Sequence, residues 1–166
     1  MCNSIDVKTG EVKAGRGKKL LFSNAIGSCV AVVAIDVTNR VGGIAHIMLA
    51  GKAPDEKRFK TRYAFNAIAE LIKKMLKLGA VKKKLKVFIA GGANVLRLKK
   101  CEIGKNNAKS VLKILKDRGV FVLAKTVGGT ERRRVKLDID NKVLYYAKGD
   151  GKNRILWQAG KRGELK

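Results

Sequence analysis

The chain has 166 residues, of which 38 are Lys or Arg and 13 are Asp or Glu, so its formal net charge at pH 7 is +25. A hydrophobic fraction of 46% is that of a globular protein and excludes a disordered polycation, while the length suits one domain. No apolar run approaches the roughly 18 residues of a membrane-spanning helix, and the N-terminus lacks the apolar run of a signal peptide. We therefore expect a cytoplasmic protein.

The apolar pattern predicts eight or nine strands and two helices. Strands are predicted, in chain order, at 3–14 (one or two weak strands), 18–24, 29–35, 43–49, 85–90, 120–127, 132–139 and 142–147. Amphipathic helices are predicted at 62–78 and at about 107–118, each followed by a glycine. Because several strands precede the first helix, we expect an α+β fold: a single-domain layered sandwich of mixed β-sheet with two main amphipathic helices.

The C-terminal stretch differs from the rest of the chain because it is basic and has only one compact apolar group, Ile155-Leu156-Trp157. We therefore divide the chain into a domain at 1–150 and a basic tail at 151–166. The tail is either docked on the domain or mostly loose.

The chain contains three cysteines and a single histidine. Cys2, Cys29 and Cys101 are an odd number without CxxC spacing, which argues against a disulfide framework or a zinc site. His46 alone cannot form a His-rich metal site, so any imidazole chemistry must come from this residue. No role is assigned to Cys2 or Cys101.

Cys29 and His46 lie on two successive predicted strands that favour a hairpin. Cys29 follows Ile26-Gly27-Ser28, a turn whose backbone N–H groups can favour a thiolate and hold an oxyanion. If the hairpin turn centres on Asn39, Cys29 and His46 are about three residues, or roughly 10 Å, apart along the strands, unless Gly42-Gly43 forms a bulge. The alternative is structural: a small core cysteine and a core histidine with a polar partner.

The segment from Phe22 to Leu49 resembles the CheD family of chemoreceptor glutamine deamidases. It carries Ile26-Gly27-Ser28-Cys29-Val30 and then Gly43-Ile44-Ala45-His46-Ile47-Met48-Leu49, as in that family's GSC-V and G-hydrophobic-AH-hydrophobic-ML blocks. The resemblance covers about residues 18–143. Further blocks match in order: Tyr63 with Ala67-Ile68, Gly91-Gly92-Ala93, Ile103-Gly104 with Asn107, and Gly128-Gly129 with Arg132 or Arg133 and Val135.

This resemblance implies a cysteine hydrolase (protein-glutamine glutaminase) that converts receptor glutamine side chains to glutamate, with release of ammonia, in chemotaxis adaptation. The nucleophile falls on Cys29 and the general base on His46. The third polar residue falls on Ser23, where the family usually has threonine. The N–H groups of Ser28 and Cys29 are candidates for the oxyanion hole. No metal or organic cofactor is expected.

The resemblance further implies as partners methyl-accepting chemotaxis receptors, through their cytoplasmic helical bundle, and a CheC-type phosphatase. We expect no membrane insertion and no specific nucleic acid. An alternative of a different class is a non-catalytic basic module that binds nucleic acid or an acidic protein. The densest charge clusters, at 82–84 and 132–134, are its candidate contacts.

Overall fold

The computed structural model describes residues 3–56 and 58–160, which form two β-sheets and two α-helices. The strands are β1 (Asn3–Asp6), β2 (Val12–Arg16), β3 (Lys19–Ile26), β4 (Val30–Asp36), β5 (Val41–Ile47), β6 (Lys86–Gly91), β7 (Val122–Val127), β8 (Arg133–Asp138), β9 (Val143–Lys148) and β10 (Arg154–Gln158). The helices are α1 (Ala64–Lys77) and α2 (Ile103–Asp117). Among the described residues, no helix is long and apolar enough to cross a membrane.

Each sheet has five strands and mixes parallel with antiparallel pairs. The strand order is β1-β3-β8-β9-β10 in sheet A and β2-β5-β4-β6-β7 in sheet B. One apolar core lies between the two sheets, and a second lies between sheet B and the helices. The predicted α+β layered sandwich is therefore confirmed, with three layers in the order sheet A, sheet B, helices.

Strand β4 lies at the centre of sheet B, and all seven of its residues are buried. Its side chains alternate between the two cores, which is why the sequence shows a continuous apolar run instead of an alternating one. On the neighbouring β5, a Cβ at Gly42 would lie 2.7 Å from Leu137 of sheet A, and one at Gly43 would lie 2.6 Å from Leu71 of α1. These two glycines let the outer layers approach sheet B closely.

Helix α2 begins at Ile103, about four residues before the predicted start. The difference arises at Gly104, a poor helix former that lies in the first turn. A Cβ at Gly104 would lie 2.6 Å from the backbone of Gly92, so glycine allows the helix to contact the end of β6. The buried face of α2 consists of Gly104, Asn107, Val111 and Leu115.

Part of the predicted tail is docked. Strand β10 pairs antiparallel with β9, and the ring of Trp157 lies 5.1 Å from that of Phe88 on β6. Docking is thus the alternative observed for Arg154–Gln158. The division of the chain into 1–150 and 151–166 stays a prediction, and residues 161–166 lie outside the described part.

Candidate active site

The register of the β4–β5 hairpin places Cys29 and His46 on the same face of sheet B. Ala31 pairs with His46, and the pairing continues to Asp36 and Val41 without a bulge. Cys29 precedes Ala31 by two residues, and alternate residues of a strand share a face. The turn is therefore centred between Thr38 and Asn39, and the two residues are two positions, or roughly 7 Å, apart along the strands, instead of three.

The ring of His46 is buried between the two sheets, where it meets Ser23 of β3. Ser23 Oγ lies 2.8 Å from His46 Nδ1 and donates its proton to the Val7 carbonyl oxygen at 2.6 Å. Because the hydroxyl has only one proton, the Ser23–His46 bond must use a proton on Nδ1. The neutral ring therefore carries its proton on Nδ1, and Nε2 keeps a free lone pair. His46 Nε2 is buried and has no hydrogen-bond partner within the described residues.

Burial shifts the pKa values of both Cys29 and His46 in the direction that favours their neutral forms. It lowers the pKa of His46, with the Val7 carbonyl and the Asp6 charge acting in the opposite direction. It also raises the pKa of the half-buried Cys29 thiol, against the opposing effect of the residue's own backbone N–H. The N–H at this turn does favour the thiolate, as expected, but desolvation of the sulfur outweighs it, so the net pKa of Cys29 is raised.

The loop before Cys29 is held by the end of β6. Gly92 N–H donates to the Cys29 carbonyl at 2.7 Å, and Ala93 N–H donates to the Gly27 carbonyl at 2.9 Å. Gly91 has φ +116°, and a Cβ there would lie 2.2 Å from the Cys29 carbonyl oxygen. The Gly91-Gly92-Ala93 segment at the end of β6 thus packs closely against the backbone of the Cys29 loop.

Two polar residues near the site had no role in the sequence analysis. Asn107, only 2% exposed, donates from Nδ2 to the carbonyls of Ser28 and Met48, both at 2.9 Å. Arg133 is 3% exposed and donates to Thr126 Oγ1 and the Gly128 carbonyl, which orders the turn after β7. A signal for Asn107 was present, because an amide on the apolar stripe of a helix needs a buried partner.

The remaining cysteines are not part of this arrangement. Cys101 is half-buried and lines a cavity of about 340 Å³ with residues of α2 and the turn after β7. Cys2 lies outside the described residues. Within residues 3–56 and 58–160, no three His, Cys, Asp or Glu side chains are grouped as metal ligands.

A group of positive charges lies at the other end of β6. A groove of about 490 Å³ is lined there by Lys82, Lys83, Lys84, Lys86 and Arg118. Gly91, next to Cys29, is five residues from Lys86, or roughly 16 Å along the strand. The basic groove and the Cys29–His46 pair are therefore separate features.

Comparison with known families gives a match over most of the described sheet and helix residues. The family model described as CheD chemotactic sensory transduction matches residues 48–148. This match begins two residues after His46, so the roles of Ser23, Cys29 and His46 rest on geometry and on the sequence motif.

Several curated relatives align over nearly the whole chain. The probable chemoreceptor glutamine deamidase CheD of Chlorobium luteolum is 34% identical over 150 residues, which cover 90% of this chain and 75% of the relative. The chemoreceptor glutamine deamidase CheD of Thermotoga maritima is 34% identical over 148 residues, covering 88% of this chain and 92% of the relative. The probable chemoreceptor glutamine deamidase CheD 1 of Methanosarcina mazei is 36% identical over 160 residues, covering 89% of this chain and 69% of the relative. With a family match over most of its length and relatives at this identity, the chain belongs to the CheD family.

Proposed function

We propose that the chain is a chemoreceptor glutamine deamidase in which Cys29 is the nucleophile, His46 the general base and acid, and Ser23 the group that orients the imidazole. One observation carries the proposal: His46 Nδ1 is hydrogen bonded to Ser23, which in turn donates to the Val7 carbonyl. This relay leaves Nε2 without a hydrogen-bond partner, on the face of the sheet that also carries Cys29. The printed names of the relatives supply the substrate class.

Acylation begins with the neutral pair. His46 Nε2 takes the thiol proton as the sulfur attacks Cδ of the substrate glutamine, and the carbonyl π electrons move to the oxygen. When the oxyanion collapses, the C–N bond breaks and the imidazolium gives its proton to the departing nitrogen, so that ammonia leaves. The product is a thioester between Cys29 and the substrate side chain.

Deacylation repeats the same proton movements with water. His46 Nε2 takes a proton from water as the oxygen attacks the thioester carbon, and the proton then goes to the departing sulfur. The substrate is released as glutamate and Cys29 returns as a thiol. Ser23 stays hydrogen bonded to Nδ1 throughout and holds the ring in the tautomer that these steps need. No step in this sequence uses a metal or an organic cofactor.

The position of the thiol suits a protein substrate. Cys29 is half-buried, while Ser28 before it and Leu49 after β5 are exposed, so the sulfur lies where the two sheets meet the surface. Neither of the two cavities described above is lined by Cys29 or His46. A side chain presented by the helical bundle of a receptor can approach such an open site.

A direct test is ammonia release from the cytoplasmic fragment of a chemoreceptor from the same organism. The wild-type protein should release ammonia, and Cys29→Ser and His46→Ala should each lower the rate by at least about 100-fold. A folded wild-type protein that releases no ammonia would overturn the proposal. Binding of a CheC-type phosphatase and the action in chemotaxis adaptation are part of the same proposal.

A further inference from the structure

Each of the three successive carbonyls of the Cys29 loop accepts a hydrogen bond from another segment. The Gly27 oxygen accepts from Ala93 N–H at 2.9 Å, and the Cys29 oxygen accepts from Gly92 N–H at 2.7 Å. Between them, the Ser28 oxygen accepts from the side chain of Asn107 at 2.9 Å. Two of the donors are backbone groups, whereas the donor in the middle is a side chain on a different element, α2.

Fixing a carbonyl also fixes the N–H of the following residue. In a trans peptide the C=O and the next N–H point in opposite directions from one rigid plane. The bond from Ala93 therefore sets the direction of Ser28 N–H, and the bond from Asn107 sets that of Cys29 N–H. Within the described residues, neither of these two N–H groups donates to the backbone of another residue.

The Cys29 N–H lies close to the sulfur of its own residue. As a donor close to Sγ it opposes the rise in the thiol pKa that burial causes. A donor next to the nucleophile is within reach of the oxygen that gains charge when Sγ attacks a carbonyl. The Cys29 N–H is thus correctly placed only while the plane of the Ser28–Cys29 peptide keeps this orientation.

The side chain of Asn107 is suited to fix the orientation of the Ser28–Cys29 peptide. Its amide is 2% exposed and its partners are both carbonyl oxygens, so Nδ2 must face them and must donate to each. The second partner, Met48, follows β5 and lies opposite Cys29 when the hairpin register is continued. One side chain therefore ties the segment before the nucleophile to the segment after His46.

We propose that Asn107 is a positioning residue that orients the Ser28–Cys29 peptide, so that the Cys29 N–H donates to the substrate oxyanion that forms when Sγ attacks. The inference rests on the proposed function in that Cys29 must be the nucleophile. It assigns to α2 a part in catalysis, through a residue that does not itself touch the substrate.

Two reactions of the same sulfur separate this role from simple support of the fold. Acylation of Cys29 by p-nitrophenyl acetate forms an S–C bond through a tetrahedral oxyanion and expels nitrophenolate. Alkylation by iodoacetamide displaces iodide directly and forms no oxyanion. Both rates are measured for the wild type and for Asn107→Ala, and the rates of Cys29→Ser are subtracted to remove reaction elsewhere in the chain.

Asn107→Ala should lower the acylation rate by roughly 10-fold to 100-fold, a part of the loss seen when an oxyanion donor is removed, while alkylation changes by less than about threefold. Asn107→Ser, which keeps one donor, should give an intermediate acylation rate and supplies the same comparison if Asn107→Ala does not fold. Asn106→Ala is the matched control, because Asn106 is the exposed neighbour on the same helix.

An unchanged ratio of acylation to alkylation in folded Asn107 variants would overturn the inference, whether both rates stay the same or fall equally. The result is independent of receptor deamidation. A wild-type protein that fails to deamidate a receptor while the ratio falls in Asn107→Ala contradicts the proposed substrate alone. Receptor deamidation by the wild type with the same kcat in Asn107→Ala contradicts the role of Asn107 alone.

Discussion

Ser23 and His46 belong to different sheets, and the 2.8 Å contact between Ser23 Oγ and His46 Nδ1 joins the two layers at the buried end of the candidate site. The direction of this bond follows from the serine's second contact, because its only proton goes to the Val7 carbonyl. These two hydrogen bonds thus determine that Nε2 is the nitrogen with a free lone pair, available to accept a proton.

Removal of the Ser23 hydroxyl should impair catalysis more than stability. Ser23→Ala leaves His46 Nδ1–H without this acceptor and frees the ring to take the other tautomer, so kcat for deamidation should fall about 10-fold to 100-fold. Ser23→Thr keeps the hydroxyl and should remain within a few-fold of the wild type. Steady-state kinetics with a receptor fragment measures both, and equal activity of Ser23→Ala and the wild type would contradict the orienting role.

The pKa directions predict a broad bell-shaped pH profile. The active state has one proton shared by Cys29 and His46, as neutral thiol and neutral imidazole. Burial lowers the pKa of His46, so the acid limb should lie below the ordinary imidazole value of about 6.5. Burial raises the pKa of Cys29, so the basic limb should lie above the ordinary thiol value of about 8.5.

The rate of iodoacetamide alkylation at Cys29 tests the same point, with Cys29→Ser as the blank. It should still be rising with pH above about 8.5, because the thiolate forms only there. A rate that is already maximal at pH 6 would mean a thiolate–imidazolium pair in the free protein, which contradicts the neutral pair.

Gly91 should be intolerant of any side chain. In Gly91→Ala the new Cβ would lie 2.2 Å from the Cys29 carbonyl oxygen, at φ +116°, so we expect a loss of about 2–5 kcal/mol in the free energy of unfolding and slow Cys29 chemistry. Gly129→Ala is a matched control with φ +72° and no atom within 4 Å of the new Cβ. It should cost only about 1–2 kcal/mol. Urea unfolding gives both values, and equal losses would contradict the close contact.

The basic groove should affect association and not the chemical step. Lys83→Glu with Lys84→Glu removes two positive charges from the groove and adds two negative ones, far from Cys29. At low salt, kcat/KM for an acidic receptor bundle should fall a few-fold, and the difference should vanish near 0.5 M salt, while kcat stays constant. A change in kcat would contradict the separation. DNA binding that survives Cys29→Ser, in a protein without deamidase activity, would favour the basic binding module.

Most elements were predictable because apolar periodicity reports burial. The apolar run at 29–35 predicted the strand that the structure places at Val30–Asp36, and α1 was predicted within two residues of its bounds. The relation of Cys29 to His46 was not predictable, since moving the turn centre by half a residue changes the pairing by one position and reverses the face. The hydrogen bond from Ser23 to Val7 could not be predicted for another reason. Its acceptor is the Val7 carbonyl, and the residue type does not indicate which backbone groups act as acceptors.

The site also depends on contacts between elements distant in the chain. Asn107 reaches Ser28 across 79 positions, and Gly91 meets Cys29 only because β6 pairs with β4. A sequence motif can mark such residues as matches to a family, as it did for both, but their contacts follow from the packing of α2 and β6 on the hairpin.

The most direct test of the account is the mass of a chemoreceptor cytoplasmic fragment before and after incubation with the protein. Conversion of a glutamine to glutamate replaces NH₂ by OH and adds about one dalton, which peptide mass spectrometry assigns to a particular residue. We expect this shift with the wild type and none with Cys29→Ser. A fragment from the same organism that keeps its mass with folded wild-type protein, or gains it equally with Cys29→Ser, would contradict the account.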